Sequence, residues 1–230
     1  MATDGKLKIL SRSGVPFESR EEAGRLLGQE LLEYRSQKPV VLGVPRGGVT
    51  VARALAQVLN ADLDIVLAHK LRTPGYGELA MGSVSEQGDL FLNEDVVRDV
   101  NVNDRYIQQE KEVQMAEIAR RAKLFRAVRP RVSLKDRVAI VTDDGVATGA
   151  TTHAAVRAVK AENPKKLVLA VPVGSEETLR KLAQDADEVV CLKVPYSLMA
   201  VGQFYVNFEP VTDEEVLSIL KTYRVKDAVK

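Results

Sequence analysis

The stretch Val138-Ala-Ile-Val-Thr-Asp-Asp-Gly-Val-Ala-Thr-Gly-Ala-Thr-Thr152 constrains this chain more than any other. An apolar run that reads as a buried strand ends in two adjacent carboxylates, Asp143 and Asp144. Gly145 and Gly149 follow, with Thr148, Thr151 and Thr152 around them, and His153 to Lys160 continues with helical spacing. A small-residue loop in front of a helix aims backbone N–H groups and hydroxyls at one point, where the helix dipole favours an anion. Carboxylates beside such a cradle would repel a bare phosphate. They suit a ligand that also carries hydroxyls, so a sugar phosphate fits better than phosphate alone.

The rest of the chain supplies elements of matching lengths. Ser19-Arg-Glu-Glu22 has a capping-box pattern, followed by Ala23, Leu26, Leu27, Leu31 and Leu32 on one face, and predicts a helix ending near Ser36. Pro39 to Val44 reads as a strand, Gly47 to Leu59 as a helix and Leu63 to Ala68 as a strand. Lys70 to Gly77 is polar and reads as a loop, with short strands at 79–84 and 90–92. One long helix is expected over 103–125, with a stripe of Ile107, Met115, Ile118, Ala119, Ala122 and Phe125. Beyond the acidic pair come a strand at 167–171, a helix at 175–184, a strand at 188–194 and a helix at 213–223, both helices opening on sensible caps. Residues 1–18 show no clear periodicity and read as a lead-in. Strands alternating with helices predict an α/β fold with a mostly parallel central sheet and helices on both faces. Ligands of such sheets bind outside the carboxyl ends of the strands. The loops after Val44, Ala68 and Val141 should therefore share one edge.

The motif resembles the phosphoribosyl-pyrophosphate signature of the type I phosphoribosyltransferases: apolar strand, two acidic residues, then Gly-x-Ala-Thr-Gly-x-Thr. The resemblance implies that Asp143 and Asp144 hold the ribose 2′- and 3′-hydroxyls. It implies that Ala147, Thr148, Gly149, Ala150 and Thr151 cradle the 5′-phosphate. A plain strand–loop–helix turn in another α/β protein is the alternative reading.

Further segments extend it. Arg46, Gly47 and Gly48 lie between strand and helix, where two glycines let the backbone approach an anion and Arg46 offers a planar fork of donors. In the family this loop binds pyrophosphate, often with a non-proline cis peptide, and the bond before Arg46 is the candidate. A tight turn with a surface Arg is the plain alternative. His69-Lys-Leu-Arg-Thr-Pro-Gly-Tyr-Gly-Glu78 resembles the family's mobile loop. There Lys70 and Arg72 would neutralise charge on the leaving pyrophosphate while closure excludes water. Solvated surface charge is the alternative for both. Pro195 to Phe208 looks like the hood over the acceptor in the 6-oxopurine enzymes. Val201-Gly202 matches their Val-Gly pair, and Met199 stands at the stacking position, with Tyr196, Phe204 or Tyr205 as substitutes. An ordinary strand and loop packed on the core would look the same. Ala147 departs from the 6-oxopurine pattern, which has Asp there; adenine and orotate enzymes share the Ala. No base can be assigned, and no residue is evident for the acceptor's proton.

The resemblance spans about residues 20–222 and includes relatives whose acceptor is unassigned. A single domain over 1–230 is expected, with a long helical insertion at about 94–134 and a small hood at about 194–210. The reaction implied is transfer of phosphoribosyl from 5-phosphoribosyl 1-pyrophosphate to a nitrogen acceptor with Mg²⁺. No direct protein ligand to the metal is expected, since Asp143 and Asp144 would reach it through water or ribose. A non-catalytic sensor of the same donor or of a nucleotide is the alternative. A hydrolase or methyltransferase ranks low, because the chain has no Gly-x-Ser-x-Gly elbow.

Composition adds exclusions. Net charge is +1, so nothing pulls the whole chain toward nucleic acid or membrane. The basic run Arg120, Arg121, Lys123, Arg126, Arg129 and Arg131 reads as dipole complement and solvation at a helix end. The single Cys191 reads as a buried strand residue, and His69 and His153 as structural or supporting side chains, with no metal constellation. Without an apolar leader or span a cytoplasmic protein is expected. Its expected partners are the donor, an unassigned acceptor and, as one option, a second copy in a homodimer.

Overall fold

The computed structural model describes residues 2–4 and 6–225. The parts of the expected 1–230 domain at Met1, Gly5 and 226–230 lie outside the described residues, as do the side chains of Gly77 and Glu78. In chain order the elements are β1 (Ala2–Asp4), β2 (Leu7–Ser11), α1 (Arg20–Glu30), a 3-10 turn (Leu32–Gln37), β3 (Val40–Gly43), α2 (Gly47–Leu59), β4 (Asp62–Ile65), β5 (Ala68–Thr73), β6 (Tyr76–Ser85) and β7 (Leu90–Leu92). They continue with α3 (Glu94–Asp99), α4 (Asp104–Arg126), β8 (Val138–Thr142), α5 (Ala150–Ala161), β9 (Lys166–Val173), α6 (Glu176–Leu182), β10 (Glu188–Lys193), a second 3-10 turn (Val201–Phe204) and α7 (Asp213–Thr222).

A seven-stranded sheet runs in the order β1-β2-β10-β9-β8-β3-β4. Every pairing in it is parallel except β1 with β2. Because successive strand residues face opposite sides, each central strand feeds two cores. Val41, Leu63, Ile65, Ile140, Val168 and Val190 join Leu27, Val51 and Leu55 of α1 and α2 on one face. Val40, Leu42, Ala139, Val141, Leu169 and Cys191 join Val156, Val159 and Leu179 of α5 and α6 on the other. This is the expected mostly parallel α/β sheet with helices on both faces.

Three expectations are corrected. The lead-in contains β2, which pairs in parallel with β10 and buries Leu7 and Ile9. Its alternation is only a few residues long, too short to stand out from coil. The segment read as a loop from Lys70 to Gly77 is instead the tip of an antiparallel hairpin, β5 with β6, to which β7 adds a third strand. Polar side chains masked it because this small sheet lies outside the main one. On α4 the buried positions are Ile107, Gln114, Ile118 and Phe125, whereas Ala119 is exposed. The predicted stripe thus missed a glutamine.

The basic end of α4 is a solvated face only in part: Arg120 and Lys123 are exposed, but other members of the run are engaged. Arg126 pairs with Asp64 at 2.5 Å and Glu86 at 2.9 Å, and Arg129 donates to the carbonyl of Leu63. Arg131 pairs with Glu162. These cations pin the end of α4 and the segment after it to the edge strand β4 and to α5.

Candidate active site

β8 is buried along its whole length, so its direction is set by the core, and Asp143 and Asp144 emerge at its carboxyl end. The Asp143 carboxylate accepts from the Asp144 N–H at 2.9 Å and from the Thr152 hydroxyl at 3.2 Å. Gly47 and Gly48 pack directly on this pair. A Cβ on Gly47 would overlap Asp144 Oδ2, and one on Gly48 would stand 2.8 Å from Asp143 Cα. Only glycine lets the two loops meet, which joins the Arg46 loop to the acidic pair.

Sequence reasoning missed Arg20. It opens α1 just after the Ser19 cap, on the buried stripe of Ala23, Leu27 and Leu31. A cation continuing an apolar stripe was the available signal, for such a residue needs a buried partner. Arg20 Nε pairs with Asp144 Oδ2 at 2.9 Å, and its Nη1 donates to the Glu209 carbonyl. The guanidinium lies over the Phe208 ring, 3.8 Å from its centre. Burial holds the Asp143 carboxyl well above the usual carboxylate range, and the Asp144 charge adds to this. Burial raises Asp144 too, against the opposing pull of Arg20.

The loop after the acidic pair is braced from below. Val146 N–H donates to the Val173 carbonyl at 2.8 Å, and the Thr178 hydroxyl to the Ala147 carbonyl at 2.8 Å. Gly149, at φ +78°, is the N-cap of α5 and leaves the first turn without a side-chain cap. Such a turn presents N–H groups to whatever anion stands before it. Thr148 and Thr151 are exposed there, Ala147, Gly149 and Ala150 half-buried, and Ala150 and Thr151 already belong to the helix.

The Pro45–Arg46 bond is cis, at the bond singled out from the sequence, and Arg46 is exposed at the head of α2. Beside it opens a cavity of about 240 Å³ lined by Pro45, His69, Lys70, Arg72, Gln114, Arg121 and Thr151. The loops after β3, β4 and β8 therefore meet at one edge, as expected. Lys70 and Arg72 reach it from strand β5 rather than from a loop. Gln114 and Arg121 reach it from α4 and were not anticipated.

The hood expectation divides. Tyr196 and Met199 are 93% and 83% exposed, and Val201 packs against Gly145. Phe204 and Tyr205 are core residues at 5% exposure, so neither offers a ring face to an acceptor. Tyr205 stacks on Phe208 and donates its hydroxyl to the Asp144 carbonyl at 2.6 Å. It supports the acidic pair, and core packing won over the aromatic-hood pattern. His153 bonds Asp185 at 2.7 Å, which agrees with a structural role, and burial pushes the Cys191 thiol up to about 12.

Comparison with known proteins agrees with this geometry. The family model described as "Phosphoribosyl transferase domain" matches residues 18–208. A Mycobacterium tuberculosis protein named "Putative phosphoribosyl transferase Rv0571c" is 44% identical over 204 residues, 89% of this chain and 46% of its own. The chain thus spans about half the length of the curated relatives it matches. The crystal structure of TT1426 from Thermus thermophilus superposes with a TM-score of 0.83 at 42% identity, covering 90% of this chain and 98% of that one.

Proposed function

The chain belongs to the phosphoribosyl transferase domain family, and we propose that it transfers phosphoribosyl from 5-phosphoribosyl 1-pyrophosphate to a nitrogen acceptor of the nucleobase kind, releasing pyrophosphate. The observation that carries this is the meeting of Asp143, Asp144, the open first turn of α5 and the Gly47–Gly48 loop at one sheet edge. A ligand with a phosphate at one end, vicinal hydroxyls in the middle and a second phosphate group at the other matches that order of groups.

In this reading the N–H groups opening α5, with Thr148 and Thr151, hold the 5′-phosphate. Asp143 and Asp144 accept the ribose hydroxyls, and Arg46 with the Gly47 and Gly48 backbone holds pyrophosphate. Lys70 and Arg72 meet the charge that develops on the leaving group. No side chain attacks the sugar; positioning and electrostatics favour the oxocarbenium-like state. Mg²⁺, when bound, would be held near Asp143 and Asp144 through water or ribose and would supply positive charge that eases departure of the pyrophosphate. The acidic pair fits that ion in chemistry, being oxygen ligands. Its carboxylates are already engaged by Arg20, Thr152 and a backbone N–H, which suits contact through water or ribose. The lining of one cavity by Lys70 and Arg72 beside Pro45 supports transfer over a donor sensor.

Calorimetry with 5-phosphoribosyl 1-pyrophosphate, with and without Mg²⁺, tests the reading. Binding that requires Mg²⁺ and is lost in Asp144→Ala is expected. No binding to the intact protein, or equal binding in the variant, rejects it.

A further inference from the structure

We infer that Arg121, on helix α4, binds the pyrophosphate group of the donor beside Lys70 and Arg72. The inference rests on the transfer reading above and adds a substrate-binding residue from outside the signature and the loops next to it.

The path of α4 puts Arg121 there. The helix runs back along the segment from β5 to β4 and is fastened to it at several points. Glu110 accepts from the Arg72 backbone N–H at 3.1 Å, and Gln114 meets His69 Nδ1 at 2.9 Å. Further on, Arg126 reaches Asp64 and the Ile65 carbonyl, and Arg129 the Leu63 carbonyl. Arg121 lies between these two sets of anchors, about two turns after Gln114, and so shares a face with it. A helical side chain leans toward the N-terminus of its own helix. Arg121 accordingly leans back to Glu117, donating from Nε at 3.0 Å, and it lines the cavity of about 240 Å³ together with Gln114 and His69.

Charge says what that cavity takes. Lys70, Arg72 and Arg121 line it, and among the described residues no carboxylate does. The charge of Arg121 is not cancelled by its own partner. Glu117 takes Arg120 through two bonds of 2.9 Å and Arg121 through one, so two cations share one carboxylate. The Arg121 side chain is 20% exposed against 55% for Arg120, so water screens it less. Burial, foremost, holds the His69 imidazole below its usual pKa, and the charges of Arg121 and Arg72 act the same way. Both guanidinium groups therefore stand near one ring in the cavity wall.

A cluster of this kind favours an anion, and Pro45 joins the wall to the Arg46 loop that holds pyrophosphate in this reading. Nε of Arg121 is engaged by Glu117, so a phosphate would be met by the terminal nitrogens, the edge of a guanidinium suited to two parallel bonds. When the bond from the anomeric carbon to the pyrophosphate oxygen breaks, its electron pair stays on pyrophosphate, which gains negative charge. A cation fixed beforehand costs no reorganisation at that moment. The anchors on either side of Arg121 do the fixing.

Calorimetry with inorganic pyrophosphate, ribose 5-phosphate and 5-phosphoribosyl 1-pyrophosphate, each with Mg²⁺, tests this. Arg121→Gln should bind pyrophosphate and the donor about tenfold or more weakly. Its affinity for ribose 5-phosphate should stay within about twofold of wild type. Arg121→Lys keeps the charge without the fork and should recover part of the loss. Arg120→Gln is the matched control. It removes a cation from the same Glu117, but one outside the cavity lining, and should bind all three ligands as the wild type does. Pyrophosphate that fails to bind the wild type, or that binds Arg121→Gln equally well, overturns the inference. An equal loss in Arg120→Gln overturns it too, as a general effect of charge. So does an equal loss of ribose 5-phosphate in Arg121→Gln, which marks a displaced α4. If pyrophosphate binding depends on Arg121 while the intact protein binds no donor, the anion site stands and the transfer reading fails. If the donor binds and Arg121→Gln leaves its affinity unchanged, the transfer reading stands and this inference fails.

Discussion

Arg20 Nε donates to Asp144 Oδ2 across 2.9 Å, although 124 residues separate them in the chain. The pair is 9% and 18% exposed, so water screens it poorly. It draws one member of an acidic pair toward its charged form, against the larger opposite pull of burial. Arg20→Met would leave that carboxylate buried without its cation, at about 3 kcal/mol in stability. With Asp144 then tending toward its neutral form, donor affinity should fall at least about tenfold. Chemical denaturation and calorimetry at pH 7.5 check both parts.

Asp143 supplies the pH prediction. Its folded pKa lies above the ordinary unfolded value of about 3.9. Above the folded pKa the native state therefore carries a charge that it disfavours. That cost fades as pH falls through the raised value and vanishes below about 3.9. Asp143→Asn should raise Tm at pH 7, and the gain should close as pH approaches 4. The same variant should lose donor binding. A Tm difference that stays constant from pH 4 to 8 would contradict the assignment.

Gly47→Ala puts a methyl where Asp144 Oδ2 now lies, with Arg20 Nε 3.0 Å away. The pair must move or the loop must. A loss of about 1–3 kcal/mol is expected, with donor affinity falling alongside, by thermal melting and calorimetry. An alanine tolerated without change in either would mean that the close approach of the loops is unimportant.

Tyr205 and the exposed residues Tyr196 and Met199 should behave oppositely. Tyr205→Phe keeps the ring against Phe208 but leaves the Asp144 carbonyl without its donor, for about 1.5 kcal/mol. Tyr196→Ala and Met199→Ala remove side chains that stand almost wholly in solvent and should change stability by less than about 0.5 kcal/mol. Any effect of those two should instead appear in which acceptors are used, read in a pyrophosphate-release panel.

Arg126→Met tests the anchoring of α4. It strips the cation from Asp64, which is buried beneath it, and from Glu86. About 3–5 kcal/mol of destabilisation is expected. Hydrogen exchange should rise over α4, and a displaced α4 would loosen Gln114 and Arg121 at the cavity.

Local pattern was enough for part of this. The run from Val138 to Thr152 shows strand, acidic pair and cradle within one stretch, because a continuous apolar run, a Gly at positive φ and a helix start are all written in neighbouring residues. Gly47–Leu59 was legible for the same reason, as was the shared edge of the three loops, since parallel strands put their carboxyl ends on one side. The polar partners were not legible. Arg20 meets Asp144, Tyr205 meets the Asp144 carbonyl and Gln114 meets His69 only after distant elements pack. Nothing near a polar residue in the chain says which distant group will satisfy it. Strand β5 and the burial of Phe204 and Tyr205 were decided in the same way. An aromatic or polar side chain takes core or surface according to what the completed sheet sets against it, and periodicity over a few residues cannot carry that information.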